Sequence, residues 1–322
     1  MHGPTGKVSA LANVLAEGDV LVLTGAGIST DSGIPDYRDP DGRTRNAAPM
    51  TFQRFCGSAE ERRRYWARSH LGWQRVAAAQ PNVSHRAVAQ LEQGGHLSGT
   101  VTQNVDGLHT AAGSREVIDL HGRLDAVVCL ECGARRPRAE VAMRLDAVNP
   151  GFREHVDDDA VRPDGDIVLP DETVAQFRVV ACRRCDGPLK PDVVYFGEKI
   201  PRARFTRALG LIERSAALVV LGSSLAVGSG YRFVTAAAKR GIPVVIVTRG
   251  VTRGDRHATV KVDASLGEVL PAAAAHALDT DLPTRPVATA PTLSAGTSTR
   301  PAATAPAAHT NGTARQQAPT GE

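Results

Sequence analysis

Four of the five cysteines stand as two C-x-x-C pairs, Cys129/Cys132 and Cys182/Cys185, and this arrangement constrains the fold more than any other feature of the chain. Each C-x-x-C turn presents two thiolates to one side, so two such turns complete the tetrahedral shell of one Zn²⁺. The segment between them, about 126–187, is therefore expected to close on itself as a small zinc-ribbon module. A shell filled by four sulfurs has no position for a reacting water. The expected metal is structural, and any catalysis has to come from elsewhere. Packed reduced cysteines are the alternative, but the pairs are flanked by Glu131, Gly133, Arg183, Arg184, Asp186 and Gly187, which suit zinc knuckles better than a core. Disulfides are disfavoured too. The start MHGPTGKVSALANVLAEG has no apolar signal core, and a chain that is not exported meets a reducing compartment. Cys56 has no partner at zinc spacing and reads as an ordinary half-buried thiol.

The remaining apolar segments follow one grammar. Asp19–Thr24 is a short β-branched run followed at once by Gly25-Ala26-Gly27; Thr100–Thr102 runs into QNVDGLH, Ala217–Leu221 into GSSLAVGSG, and Pro243–Val247 into TRGVTRGD. Strands that each end in a polar or glycine-rich loop, with helical stretches such as Arg204–Ser215 and Tyr231–Lys239 between them, predict a parallel sheet with ligands at its carboxyl edge. The glycine loop alone is weak evidence for a dinucleotide, because Thr30 stands where the usual fingerprint has its third glycine. Hydride transfer also needs a second strand ending in an acid about twenty residues on. The chain continues instead as SGIPDYRDPDG, a loop suited to closing over a ligand.

Length and charge bound the rest. A chain of 322 residues with 42% hydrophobic residues can bury a substantial core. The net charge of +4 is spread along it, densest at Arg62-Arg63-Arg64, which is too weak a signal for direct nucleic-acid binding. No apolar segment reaches membrane-spanning length, so a cytoplasmic protein is expected. From about Leu278 onward the composition turns to Ala, Pro and Thr, and residues 278–322 read as a disordered tail. His155–Asp166 reads as a solvated loop of the zinc module.

Taken in order, GAGISTDSGIPDYRD (Gly25–Asp39), TQNVDGLH (Thr102–His109), His121-Gly122, the two cysteine pairs, LKPDVVYFGE (Leu189–Glu198) and GSSLAVGSGYRF (Gly222–Phe233) resemble the motif series of the sirtuins, over roughly residues 10–275. The stretch PDGDIVLPDETVAQF and YWAR at Tyr65–Arg68 look most like the class II branch. The resemblance implies a Rossmann-like domain from 8–125 and 188–277, carrying a helical module at about 45–85, with the zinc module at 126–187. It implies an NAD-dependent protein lysine deacylase that releases nicotinamide and transfers the acyl group to ADP-ribose. NAD and one structural Zn²⁺ are the implied cofactors, acylated lysine side chains the implied partners, and a monomer is expected.

The resemblance also assigns roles. His121 is the implied general base, its imidazole titrating near working pH. Asn104 and Gln103 face the nicotinamide ribose and Asp106 the carboxamide. Gly25, Ala26, Gly27, Asp36, Tyr37 and Arg38 form the first loop and its lid, where Arg38 suits a phosphate. Gly222, Ser223 and Ser224 lie on the adenosine side, with Thr248, Arg249, Gly250 and Leu266. Thr248 departs from the pattern, which has Asn there to hold the adenosine ribose. Val193, Phe196, Gly197 and Val227 line the implied peptide cleft, although Val193–Glu198 also reads as an ordinary strand. Tyr65 and Arg68 share a helix face, and a guanidinium beside a phenol would favour an acidic acyl group over acetyl. Two other readings are mono-ADP-ribosyl transfer and a non-catalytic NAD or ADP-ribose-binding module; a pure binder has no need of His121.

Overall fold

The structure is a computed structural model that describes residues 4–36, 49–152, 165–167, 169–280 and 282. All of them lie in one compact unit, Met1–Pro283. In chain order its elements are α1 (Pro4–Ala16), β1 (Val20–Thr24), α2 (Phe52–Gly57), α3 (Ala59–Ala78), α4 (Val83–Gln93), β2 (Leu97–Thr102), α5 (Leu108–Ala111) and β3 (Val117–Asp119). There follow β4 (Gly122–Cys129), β5 (Arg135–Pro137), α6 (Arg138–Val148), α7 (Asp171–Gln176), β6 (Leu189–Val193) and α8 (Arg202–Glu213). The chain closes with β7 (Ala217–Leu221), α9 (Gly228–Arg240), β8 (Val244–Val247), β9 (Val260–Val262) and α10 (Leu266–Leu278).

Six strands form a parallel sheet in the order β3-β2-β1-β7-β8-β9. Its central strands are buried on both faces, which is why VLVLT, ALVVL and VVIV are continuous apolar runs rather than alternating ones. Period two still decides direction. Val20 and Val22 of β1, Val219 of β7 and Val245 of β8 join α1, α4 and α10 in one core layer. Leu21, Leu23, Val220 and Ile246 point the other way, onto α8 and α9. Local signals stop and start the helices: Ser58 caps α3 by accepting from the Glu61 amide, Asn82 and His85 form a capping box on α4, and Gly241 ends α9 at φ +74°.

A second sheet, β5-β4-β6, is antiparallel and carries the cysteine pairs at its ends. It packs with α3 and α6 around a third apolar cluster that includes Phe55, Tyr65, Trp66, Val127, Phe177 and Leu189. Two readings change here. Asp166, the last residue of the stretch expected to be a solvated loop, is buried at 4% exposure because it pairs with Arg68, and the next residue, Ile167, joins this cluster. Cys56 is exposed rather than half-buried. Residues 155–164 of that stretch, and the tail beyond 282, lie outside the described residues. Among the described residues, no helix is long and apolar enough to cross a membrane.

Candidate active site

Strand order reverses between β1 and β7, and this switch point is where an open α/β sheet leaves a crevice at its carboxyl edge. The loops that follow β1, β2 and β7 meet there. Gly27 donates to the Gly222 carbonyl (2.9 Å) and Gly25 to Leu221 (3.0 Å). A Cβ on Gly25 would lie 2.7 Å from Ser223 Cβ, one on Gly27 2.9 Å from Gly222 Cα, and one on Gly222 2.5 Å from the Ile28 amide, with Gly222 at φ +63°. The glycines thus let two backbones interlock, and they keep side chains out of the crevice. A backbone-lined edge of this kind fits the pyrophosphate of a dinucleotide. Ala26 lies in the 3-10 turn Ala26–Ile28, and Asp36 ends the described part of the loop, half-buried. Tyr37 and Arg38 lie outside the described residues.

The loop after β2 brings Gln103, Asn104 and Asp106 to the same place. Asn104 Nδ2 donates to the Gly25 carbonyl and to Ser29 Oγ, each at 3.1 Å. Ser29 Oγ in turn donates to Asp106 Oδ2 (2.7 Å), while Asp106 Oδ1 accepts from the Leu108 amide (2.9 Å). Gln103 Oε1 accepts from Ser223 Oγ at 2.7 Å, tying the β2 and β7 loops together. Ser224 accepts from the Arg253 amide through its carbonyl.

His121 enters from the turn between β3 and β4. Its Nδ1 sits 2.9 Å from the Gln103 carbonyl, which only accepts, so Nδ1 carries the proton. Nε2 is then the lone-pair nitrogen, 2.9 Å from Ser229 Oγ. Burial pushes the His121 pKa below the ordinary histidine value, against the pull of the Gln103 carbonyl, and the imidazole is neutral at pH 7.

Two exposed apolar residues lie two positions along the chain from partners of this histidine. Val194 donates to the His121 carbonyl (2.7 Å), and Phe196, two residues on, is 46% exposed. Val227, two residues before Ser229, is 40% exposed. Gly197 at φ +78° packs against Gln53. Val193 itself is buried and pairs with Gly122, so its side chain belongs to the core and not to an open edge.

Other assigned residues follow β8 and β9, and Val247, just before Thr248, accepts from the Gly222 amide (2.9 Å). Thr248 donates its amide to Val262, Gly250 its amide to Asp263 Oδ1, and Arg249 reaches Glu268 at 3.5 Å on the surface. The Leu266 side chain is in the core between the sheet and α10, which leaves only its backbone at the sheet edge. The expectation for Arg68 needs correction. Its guanidinium is held by Asp166 Oδ2 (2.8 Å) and by the Ile167 carbonyl, so it is not offered to an acyl group. Tyr65 is buried in an aromatic cluster with Phe55 and Tyr195. The cation beside it is Arg138, fully buried between Trp66 and Trp73 and bonded to Ser69. In the sequence RRPRAE nothing separates Arg138 from a surface arginine.

The four zinc-spaced sulfurs lie within 4.8 Å of one another, Cys129 Sγ 3.5 Å from Cys185 Sγ and Cys132 Sγ 3.8 Å from Cys182 Sγ. Zn–S bonds of about 2.3 Å in a tetrahedron put the sulfurs about 3.8 Å apart, so this donor set fits one zinc ion.

A model of the Sir2 family matches residues 25–229. NAD-dependent protein deacetylase 1 of Streptomyces coelicolor is 53% identical over 270 residues, covering 84% of this chain and 90% of that protein. The NAD-dependent protein deacetylase of Xanthomonas axonopodis pv. citri is 51% identical over 251 residues, covering 78% and 85%. Among solved structures, a Sir2 enzyme studied for its mechanism and regulation superimposes with a TM-score of 0.66 at 30% identity, over 84% of this chain and 98% of that one. A Sir2–p53 peptide–NAD⁺ complex gives 0.64 at 31% identity, over 82% and 95%.

Proposed function

The chain belongs to the Sir2, or sirtuin, family, and we propose that its activity, NAD-dependent deacylation of protein lysines, is carried out by His121 with Asn104, Gln103 and Asp106. The observation that carries this reading is the tautomer of His121, with Nδ1–H on the Gln103 carbonyl and a bare Nε2. When bound, NAD supplies a ribose that is cleaved from nicotinamide and takes up the acyl group. In the structure the Ser229 hydroxyl occupies the lone pair of His121 Nε2; once a ribose hydroxyl takes that place, Nε2, neutral through burial, accepts its proton. Asn104, with its amide N–H groups on Gly25 and Ser29, presents its oxygen to the ribose. Asp106 keeps acceptor capacity beyond its bonds to Ser29 and Leu108 and holds the carboxamide. The glycine-lined loops exclude side chains from the pyrophosphate, and Phe196 and Val227 flank an extended acyl-lysine peptide. Cys129, Cys132, Cys182 and Cys185 hold one structural zinc. A site of four zinc-ligating thiolates suits a reducing compartment, and the cytoplasm is the compartment we assign.

Acetyl is the acyl group this reading favours, because Arg68 already has its carboxylate and the relatives are named deacetylases. The finer assignment to the class II branch rests on YWAR and PDGDIVLPDETVAQF. Replacing His121→Ala is expected to lower deacetylation by about 10² to 10⁴ while NAD binding, followed by calorimetry, persists. Full activity in that variant would remove His121 from the reaction.

A further inference from the structure

Behind Asn104 lies a buried imidazole for which the reaction as described has no use. His109, in α5, is 2% exposed. Its Nε2 is 3.0 Å from Thr24 Oγ1 at the end of β1. Thr24 Oγ1 donates to Thr102 Oγ1 at the end of β2 (2.8 Å), and the same Thr102 oxygen accepts the Asn104 amide (3.1 Å). The single proton of the Thr24 hydroxyl is committed to Thr102, so Thr24 accepts from His109, and the histidine carries its proton on Nε2. Nδ1 is then a buried lone pair with no hydrogen-bond partner among the described residues. Burial pushes this histidine down to about 3, so it stays neutral at any working pH.

A side chain kept only for packing would be apolar here, because a buried acceptor left without a partner is destabilising. Nor are the strands in need of it. The Gln103 amide already donates to the Thr24 carbonyl (3.0 Å), so β1 and β2 are joined by their ladder. What the hydroxyl chain adds is direction, because it ends on the backbone of the residue that also binds Gly25 and Ser29. We infer that His109 is a positioning residue. Through Thr24 and Thr102 it fixes Asn104 against the glycine loop in the orientation that cleavage of the nicotinamide–ribose bond requires. This rests on the role proposed for Asn104.

The test uses full-length protein with NAD and an acetyl-lysine peptide, reading nicotinamide release and melting temperature. Thr102→Val keeps the volume and removes the relay; His109→Phe removes its origin. Each is expected to lower kcat by about 10²-fold, the scale of a small misplacement of a reacting group, with the KM for peptide unchanged. The double variant is expected to be no slower than either single one. His109→Gln places an amide donor near the position of Nε2 and is expected to recover most of the rate. The acid limb of the kcat profile, set by His121, stays where it is in every variant. Wild-type kcat in Thr102→Val, or losses that multiply in the double variant, would overturn the relay. Asn104→Ala is run beside them. If it too retains the wild-type rate, the role of Asn104 falls; if it alone loses activity, only the relay does.

Discussion

Arg68 and Arg138 are both held by partners that their sequence surroundings do not announce. Arg68 looked like the charged half of a Tyr-x-x-Arg pair, yet its partner is Asp166, with the two side chains 19% and 6% exposed. Breaking such a largely buried pair by removing one member costs roughly 3 kcal/mol, less whatever solvent still screens it. Arg68→Ala is therefore expected to lower the melting temperature while leaving the ratio of succinyl- to acetyl-lysine turnover unchanged. A selective loss of succinyl-lysine turnover would restore the acyl-binding role. The titrating residues give a second expectation. Burial holds His85 down to about 4 and His109 down to about 3, against about 6.5 in the unfolded chain. Below about pH 6.5 the unfolded state binds protons that the folded state refuses. The stability contributed by keeping these rings neutral is full above that pH, is lost as pH falls toward 4, and stops falling near the folded values. Denaturant unfolding at about pH 7, 6 and 5 is expected to show this decline, with a slope smaller by about one proton in His109→Gln. Equal slopes in the two proteins would mean that His109 is not held neutral by the fold.

At the scale of elements, the sheet was legible because its strands are buried on both faces and end in glycine. VLVLT, ALVVL and VVIV read as buried strands, whereas their order in the sheet is set by pairings the sequence does not show. His121, the glycine loop and the cysteine pairs were legible as motifs. His109 stands in one of those motifs, TQNVDGLH, but its contact with Thr24 crosses two strands and exists only once β1 and β2 are paired in register. Asp166 and Arg138 were illegible for the same reason, since a charge in a polar stretch reads as solvated until the partner that buries it is known. The zinc module carries its own expectation. With the four sulfurs within 4.8 Å of one another and polar residues around them, a bound zinc ion would tie the two turns together. A strong chelator is expected to lower the melting temperature and release about one zinc per chain. Active protein without zinc would exclude the metal from that site.

For the molecule as a whole, the two sheets divide the work. The parallel sheet brings the loops after β1, β2 and β7 to one edge. The antiparallel sheet, closed by the cysteines, supplies β4 and β6, whose ends carry His121 and Val194 up to that edge. Neither sheet alone assembles the site, because His121 leaves the parallel sheet and bonds back to Gln103 as it enters the other. In NAD-dependent deacylation the acyl group leaves lysine only as NAD is cleaved. Mass spectrometry of an acetyl-lysine peptide incubated with the protein and NAD tests this most directly. Nicotinamide, deacetylated peptide and O-acetyl-ADP-ribose are expected in equal amounts. Nicotinamide release with the acetyl group still on the peptide, and ADP-ribose attached to protein instead, would contradict it.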